Sequence, residues 1–598
     1  MTLAAGLRSR PAAQDMESRV NSKLFTPARI GGVEIRNRIV MPPMTTRLAD
    51  AEGYVTDATV AYFRARAAGG VGLVTVEMAS PEKVGRHRGR ELGIYDDRFL
   101  PGLRRLVDAI HAGGAKASIQ LGSGGGHTRE DICGEQPIAP SAIPHFVYEV
   151  TGETIVPLAM TRERIAQTTR AFVAAAVRAR AAGFDCAEIH AAHGYLISQF
   201  LCPEENRRTD EYGGSLANRA RFALDIVRHT RRAVPEIGLI FRLSADDLFP
   251  TGMPFAEGLQ VAKWAAEAGA DAIHVSAGHY RSLPSAQMMT PPMEHEEGLF
   301  LDYAARIKAE VTVPVIAVGR LGDPELAKSA VDGGKADFVA LGRSLIADPE
   351  WAAKVGQGRA IRRCLSCNTC VNEMRDGAQL GCLVNPAAGH EAEFAHPAPP
   401  QGERIAVIGA GPAGLSYAGL VSAGNRVTVF ERASAAGGAF RYAGKAPRFQ
   451  EVAAREQPFV KYIADLERGC RESGVEFRYG VDVLRQPDAL APFDRIVVAT
   501  GAKYRFGLGT LVPRMLDAGL GRSTLARKLF DSPALREWFY YRARRGTAQA
   551  MRGIARSGQK LVIIGDARRA GKGKEAIADA FRAALQGDTT TQAQEGSS

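Results

Sequence analysis

The sequence predicts an α/β protein in two parts, an N-terminal (β/α)8 TIM barrel and a C-terminal Rossmann-like domain, joined by a cysteine-rich segment. Three observations carry that reading. Short β-branched runs alternate with alanine-rich helical stretches from residue 24 to 360. The run IAVIGAGPAG sets a glycine-rich turn between a strand and a helix. Four cysteines, Cys364, Cys367, Cys370 and Cys382, fall between these two regions.

A chain of 598 residues is too long for one core. Residues 1–23 have no apolar stretch of signal-peptide length and read as a disordered extension. No apolar run reaches the length of a membrane helix, so no membrane insertion is expected. The barrel region, 24–360, contains strand-like runs at 72–77, 116–121, 186–190, 239–244, 272–276, 313–319 and 338–342. Helical segments lie between them at 164–183, 218–234 and 255–269. Residues 361–400 hold the cysteines and a Pro-rich joint. The second domain opens in 401–504 and closes in 559–587, around an irregular basic and aromatic insert at 505–558. A polar tail, 588–598, reads as disordered.

Three thiolates at C-x2-C-x2-C and a fourth after eleven intervening residues can wrap one 4Fe–4S cube. A structural zinc site is the alternative, but zinc more often uses two separated C-x2-C pairs. Cys133, Cys186, Cys202 and Cys470 are scattered and read as reduced thiols. Few cysteines and an iron–sulfur segment point to the reducing cytoplasm.

Charge is uneven. Between Lys503 and Lys574 lie 17 Lys/Arg against 4 Asp/Glu, an excess larger than the whole chain's net +11. Such a surface can steer an acidic partner, an electron-carrier protein or the phosphates of a coenzyme-A ester. A solvated arginine-rich helical face explains the same charge equally well. No nucleic-acid motif accompanies it.

The densest chemical signal is EIHAAHGYLISQFLCPEENRRTDEYGGSLANRARF, residues 188–222, beginning at a strand tip. His190 and His193 can polarise a carbonyl oxygen, and Tyr195 can supply a proton to the same substrate. In the second domain, Gly409, Gly411 and Gly414 sit where glycines allow close approach to a pyrophosphate. Glu431, ending the next strand, can accept from ribose hydroxyls.

These motifs, in this order, resemble the old yellow enzyme flavoproteins. The resemblance is to the branch of 2,4-dienoyl-CoA reductase and trimethylamine dehydrogenase. It runs from LFTPARIGGVEIRNRIVMPPMTT through the HxxHGYL signature and the cysteines to the final GDA, omitting about residues 505–558. It implies an FMN in the barrel, held non-covalently because no cysteine lies near Thr45. Met44 and Thr45 would lie against the flavin, Gln120 would read its pyrimidine edge, and Arg242 would stand near N1–C2. Gly319, Arg320, Gly342 and Arg343 would bind its phosphate. Tyr195 would protonate an activated C=C bond held by His190 and His193. Tyr280 is a second acid or substrate contact, with His279 as the alternative. Gly438, Gly501 and Asp566 would complete an FAD site, with ADP or NAD as other occupants.

The sequence departs from that pattern in three places. The insert 505–558 lacks the second GxGxxG of an NAD(P)H module, so direct reduction by NAD(P)H is not implied. GSGGGH follows Gln120–Leu121, where relatives carry a His and an Arg. Met374 stands where the amine dehydrogenases have a cage Trp, so an ammonium cage loses a wall. The expected activity is reduction of an enoate, dienoate or enone. An outward-running dehydrogenase or demethylase is the alternative.

Overall fold

The computed structural model describes residues 22–146, 154–505 and 508–586. The tail assigned to 588–598, and the extension assigned to 1–23 apart from its last two residues, lie outside the described residues. Eight parallel strands close into a barrel. They are β1 (Ile39–Met41), β2 (Leu73–Ala79), β3 (Lys116–Leu121), β4 (Cys186–Ala191), β5 (Gly238–Ser244), β6 (Ala272–Ser276), β7 (Val315–Ala317) and β8 (Phe338–Ala340). Neighbours follow chain order, and β8 pairs with β1 to shut the ring. β1 is absent from the strand-like runs read in the sequence. It is three residues long before Pro42, too short for a periodic signal.

β2, β4 and β5 are buried along their whole length, as strands of a helix-covered parallel sheet must be. Helices start where hydroxyls cap them. The Thr161 side chain accepts from Arg164 N at the head of Arg162–Ala181, and the Ser215 side chain accepts from Asn218 N at the head of Leu216–Ala233. The latter buries Ala220, Ala223, Leu224 and Val227 at helical spacing against the barrel. A hairpin, Ala28–Ile30 with Val33–Ile35, packs Ile30 and Ile35 against Val40, Leu73 and Ile240. It plugs the end of the barrel opposite the strand tips.

The second domain is a five-stranded parallel sheet. Its strands are β9 (Arg404–Ile408), β10 (Arg426–Glu431), β11 (Glu476–Tyr479), β12 (Arg495–Val498) and β13 (Lys560–Ile563), in the order β11-β10-β9-β12-β13. That is the doubly wound order with its switch point beside β9. The helix Pro412–Val421 starts at Gly411 directly after β9. A Cβ on Gly414 would lie 2.0 Å from the Gly409 carbonyl oxygen, so strand and helix can meet only through glycine.

The insert is not irregular. It folds as helices Leu508–Asp517, Thr524–Phe530 and Pro533–Glu537 and a π turn at Trp538–Arg542. A strand pair, Ala502–Tyr504 with Arg544–Gly546, closes its base. Its helices bury almost nothing: Leu511, Met515, Leu520, Leu525, Leu529 and Trp538 are all exposed. Leu508–Asp517 does carry apolar residues at helical spacing, but the two helices that follow are only seven and five residues long, too short for a periodic signal, so the segment reads as irregular in sequence. Among the described residues no helix is long and apolar enough to cross a membrane.

The parts are bolted together by charge. Arg363, in the cysteine segment, reaches Asp323 of the barrel at 3.0 Å and Asp465 of the second domain at 2.7 Å. Lys461 also reaches Asp323 and Glu297, each at 3.0 Å. Arg363→Ala leaves Asp323 to Lys461 and Asp465 to Arg468 at 3.5 Å, and loss of the shared guanidinium costs about 1–3 kcal/mol. Calorimetry should show the second domain unfolding earlier than in the wild type.

Candidate active site

The strand tips open into a cavity of about 220 Å³. Gln120 from β3, His190 from β4 and Arg242 from β5 line it, with Met44, Thr45, His193, Tyr195 and Tyr280 from the following loops. Gly319, Arg320, Gly342 and Arg343, after β7 and β8, line its other end, and so do Cys364 and Cys370. The barrel thus brings all the residues assigned to the FMN and substrate into one space. His279 does not line it. It is fully buried behind Tyr280, with its Nδ1 accepting from the Arg281 backbone N–H at 3.1 Å.

Beneath the cavity lies Glu188, a fully buried carboxylate on β4. It accepts from Gln120 Nε2 at 2.8 Å, bonds His274 Nδ1 at 2.8 Å and faces Arg242 Nη1 at 3.8 Å. Burial alone would raise its pKa. His274, Arg242 and Gln120 outweigh that and hold it below the ordinary range. It stays ionised, and it neutralises the Arg242 guanidinium. That guanidinium, with burial, keeps His190 and His193 well below the usual imidazole pKa. Both rings are therefore neutral at physiological pH.

Three buried atoms around the cavity have no hydrogen-bond partner among the described residues: Arg242 Nε, Arg320 Nε and His190 Nδ1. Unpaired buried donors are costly and mark where another group belongs. The cationic end, Arg320 and Arg343 beside the glycine turns, suits a phosphate. The residues present fit an FMN.

The loop after β4 is shaped by the loop after β6. His193 adopts φ +69°, a left-handed conformation rare outside glycine, and its carbonyl accepts from the Tyr280 backbone N–H at 3.1 Å. Its backbone N–H donates to Ser244 Oγ at 3.0 Å and its Nε2 meets Ser276 Oγ at 2.8 Å. At Gly194 a Cβ would lie 2.7 Å from the His279 ring, so no larger residue fits. This crossing sets the Tyr195 and Tyr280 rings 5.5 Å apart at 76°. His190 lies 4.9 Å from Tyr195. Burial and the Tyr280 neighbour push the Tyr195 phenol well above its normal pKa, and Arg88 opposes them. It remains protonated.

Arg88 is a residue sequence reasoning missed. It is buried, it donates to Tyr280 Oη at 3.3 Å, and its Nε contacts His87 Nε2 at 3.0 Å. Its signal in the sequence, GRHRGR, is a string of ordinary-looking basic residues in a loop. Arg86 and His87 are buried beside it, and Arg88 is set apart by its reach to Tyr280 Oη.

The four cysteines of the joining segment are free thiols, three of them buried. Burial raises Cys370 well above the normal thiol pKa, and Cys382, Cys364 and Cys367 raise it further. Four thiols that penalise one another's ionisation call for a cation or cluster among them. Among the described residues, the one trio of His/Cys/Asp/Glu ligand atoms within 4.8 Å is Cys202, Asp247 and His279. No three of the four sulfurs therefore lie within 4.8 Å of one another, whereas Zn–S bonds of about 2.3 Å set sulfurs ~4 Å apart.

In the second domain Gly409 has φ +111°. The Glu431 carboxylate accepts from Ala410 N at 2.9 Å and Ala433 N at 2.8 Å. Gly438 and Gly411 face each other: a Cβ on Gly438 would lie 3.0 Å from the Gly411 Cα. Gly501 has φ +73° at the turn after β12. Asp566 pairs with Arg544 of the insert at 3.1 Å, and burial lifts its pKa to about 6. The glycine turn and Glu431 fit the ADP half of a dinucleotide.

The sequence pattern of the NADH:flavin oxidoreductase / NADH oxidase family matches residues 23–362. The chain is 40% identical to an NADH oxidase of Thermoanaerobacter brockii over 490 residues, 80% of this chain and 73% of that protein. It is 33% identical to a cinnamate reductase of Clostridium sporogenes over 509 residues, 81% of this chain and 74% of that one. Among solved structures, 2-naphthoyl-CoA reductase in complex with 2-naphthoyl-CoA superposes with a TM-score of 0.83 at 24% identity, covering 94% of this chain and 99% of that one. The 6-hydroxypseudooxynicotine amine oxidase of Pseudomonas geniculata gives 0.72 at 27%, covering 81% and 72%.

Glu188→Gln leaves Arg242 as a buried, uncompensated cation, which costs about 3–5 kcal/mol. The expected result is a large fall in the melting temperature together with loss of bound flavin, read by thermal denaturation and flavin fluorescence.

Proposed function

The chain belongs to the NADH:flavin oxidoreductase / NADH oxidase family, and from that premise we propose that it reduces an activated C=C bond, as in an enoate, dienoate or enone. It is an FMN-dependent oxidoreductase. The observation that carries the finer reading is the wall formed by His190, His193 and Tyr195. Two neutral imidazoles and a protonated phenol face the cavity that Gln120 and Arg242 line. Neutral imidazoles donate hydrogen bonds to the carbonyl oxygen of the substrate without trapping it as a salt. Tyr195 holds its proton ready for the α-carbon, and Tyr280 supports it from 5.5 Å. Bound FMN, when reduced, supplies the hydride. Arg242 and Gln120 orient its pyrimidine side, and Arg320 and Arg343 hold its phosphate. The cinnamate reductase name of one relative supports an α,β-unsaturated acid as the substrate class.

Cys364, Cys367, Cys370 and Cys382 hold a 4Fe–4S cluster in this proposal. Cys364 and Cys370 line the same cavity as Tyr195, so the cluster and the flavin share one wall. The second domain carries FAD. A second reading, a dehydrogenase passing electrons outward to an acidic carrier at 503–574, is favoured by one observation. The insert offers helices with almost no buried surface and lacks the NAD(P)H motif. Anaerobic mixing with NADH or NADPH separates the two readings: fast flavin bleaching supports the self-sufficient reductase, and bleaching with dithionite alone supports a carrier.

Tyr195→Phe should keep its flavin and lower the turnover of an α,β-unsaturated ester about 10²–10⁴-fold, the usual worth of a general acid. Unchanged turnover removes Tyr195 from that role. Cys370→Ala should lose its iron and sulfide on chemical assay while the barrel retains flavin.

A further inference from the structure

Behind the catalytic cavity lies a second one of about 20 Å³, lined by His127, His145, Gly194, Glu205, Tyr280 and Arg281. That is room for one water molecule. Tyr280 lines both cavities and so forms the partition between them. His127 lies flat on its ring, centroids 4.0 Å apart.

The small cavity is polar where a packing defect would be apolar. His145 Nε2 and Glu205 Oε2 are buried and have no hydrogen-bond partner among the described residues. Glu205 stands between two imidazoles, with His145 Nδ1 at 3.6 Å and His279 Nε2 at 3.6 Å, too far for direct hydrogen bonds. Groups left this way, around a space of this size, are the usual signature of an ordered water.

We propose that this cavity holds a water and that Glu205 is the internal acid that returns a proton through it, by way of Tyr280, to Tyr195 after each turnover. The proposal rests on the reductive reading above. That reading requires that Tyr195 regain a proton after each turnover. When Tyr195 gives its proton to the α-carbon, its O–H bond breaks, the C–H bond forms, and a phenolate remains. The Tyr280 hydroxyl then passes its proton to Tyr195, the water passes one to Tyr280, and Glu205 passes one to the water. Glu205 ends as a carboxylate and is reprotonated from solvent once product has left. No atom changes oxidation state in the transfers from Tyr280, the water and Glu205.

The surroundings of Glu205 suit a proton store. Burial pushes its carboxyl well above the usual range; Arg281 opposes this, and Asp247 and Glu204 reinforce it. Burial takes His145 down to about 4 and His279 to about 3, so neither competes for the proton. Arg281 is engaged elsewhere, with Glu204 Oε1 at 2.8 Å and the Pro144 carbonyl. The proton therefore rests on the carboxyl group nearest the water.

The test compares the first turnover with the steady state. Pre-reduced holoenzyme is mixed anaerobically with a cinnamate ester in H2O and in D2O, and flavin reoxidation is followed. Glu205→Gln should reoxidise in the first turnover within about twofold of wild type, because Tyr195 already holds its proton. Its steady-state turnover should fall at least about tenfold, with a solvent isotope effect larger than that of wild type. Glu205→Asp should recover part of the loss. If Glu205→Gln fails to retain flavin, His145→Asn takes its place, with a fall of at least about threefold in the steady state alone. Steady-state turnover within about twofold of wild type in the flavin-loaded variant overturns the relay. A wild type that does not reoxidise with any activated alkene overturns the reductive reading itself and leaves the relay without a reaction to serve.

Discussion

Glu188 sits on β4 with no exposed surface, hydrogen-bonds Gln120 on β3 and His274 on β6, and faces the Arg242 guanidinium on β5 at 3.8 Å. An ionised carboxylate in such a place is expensive unless it is hydrogen-bonded and paired. Two hydrogen bonds and one ion pair meet that cost, and the same contacts link four barrel strands at the level where the cavity begins. Because Glu188 is charged, Arg242 can be charged and buried beside it. Burial holds the imidazoles above it neutral, and the Arg242 charge adds to that. One buried acid beneath the cavity thus contributes to the protonation state of the cavity wall.

The crossing of the loops after β4 and β6 has a comparable role for geometry. His193 in a left-handed conformation and Gly194 pressed on the His279 ring are strained or intolerant positions. Their return is that Tyr195 and Tyr280, 85 residues apart in the chain, meet at one wall of the cavity. Arg88, from a third loop, reaches the same pair. Strain of about 1–3 kcal/mol at such a residue is affordable in a barrel whose core is otherwise closely packed.

The cysteine segment is more than a spacer. Cys364 and Cys370 line the flavin cavity while Arg363, one residue earlier, clamps barrel and second domain through Asp323 and Asp465. The segment therefore ties the barrel cavity to the second domain. The insert after β12 behaves differently. It packs its base against the Asp566 turn through Arg544, buries Ala543 and Met551, and leaves the apolar side chains of its helices, such as Leu511, Leu525 and Leu529, in solvent.

The sequence by itself determined the fold class, the flavoprotein family and the identity of the residues at the strand tips. Strand runs such as KASIQL and AIHVS carry a local β signal, and the HxxHGYL and GAGPAG turns carry chemistry that only a few backbones can present. Local patterns failed where local signal is thin: β1 is three residues long, and the insert helices bury no periodic face. Tertiary structure alone decided what each side chain is. Arg88 and Glu205 look like surface charges in the sequence, yet folding buries both, one against the tyrosine pair and one against a water-sized cavity. His279 and Tyr280 are neighbours in the chain, yet the fold puts only Tyr280 on the catalytic cavity. The physical reason is that burial and charge are set by everything packed around a residue. Those neighbours come from strands and loops tens to hundreds of positions away.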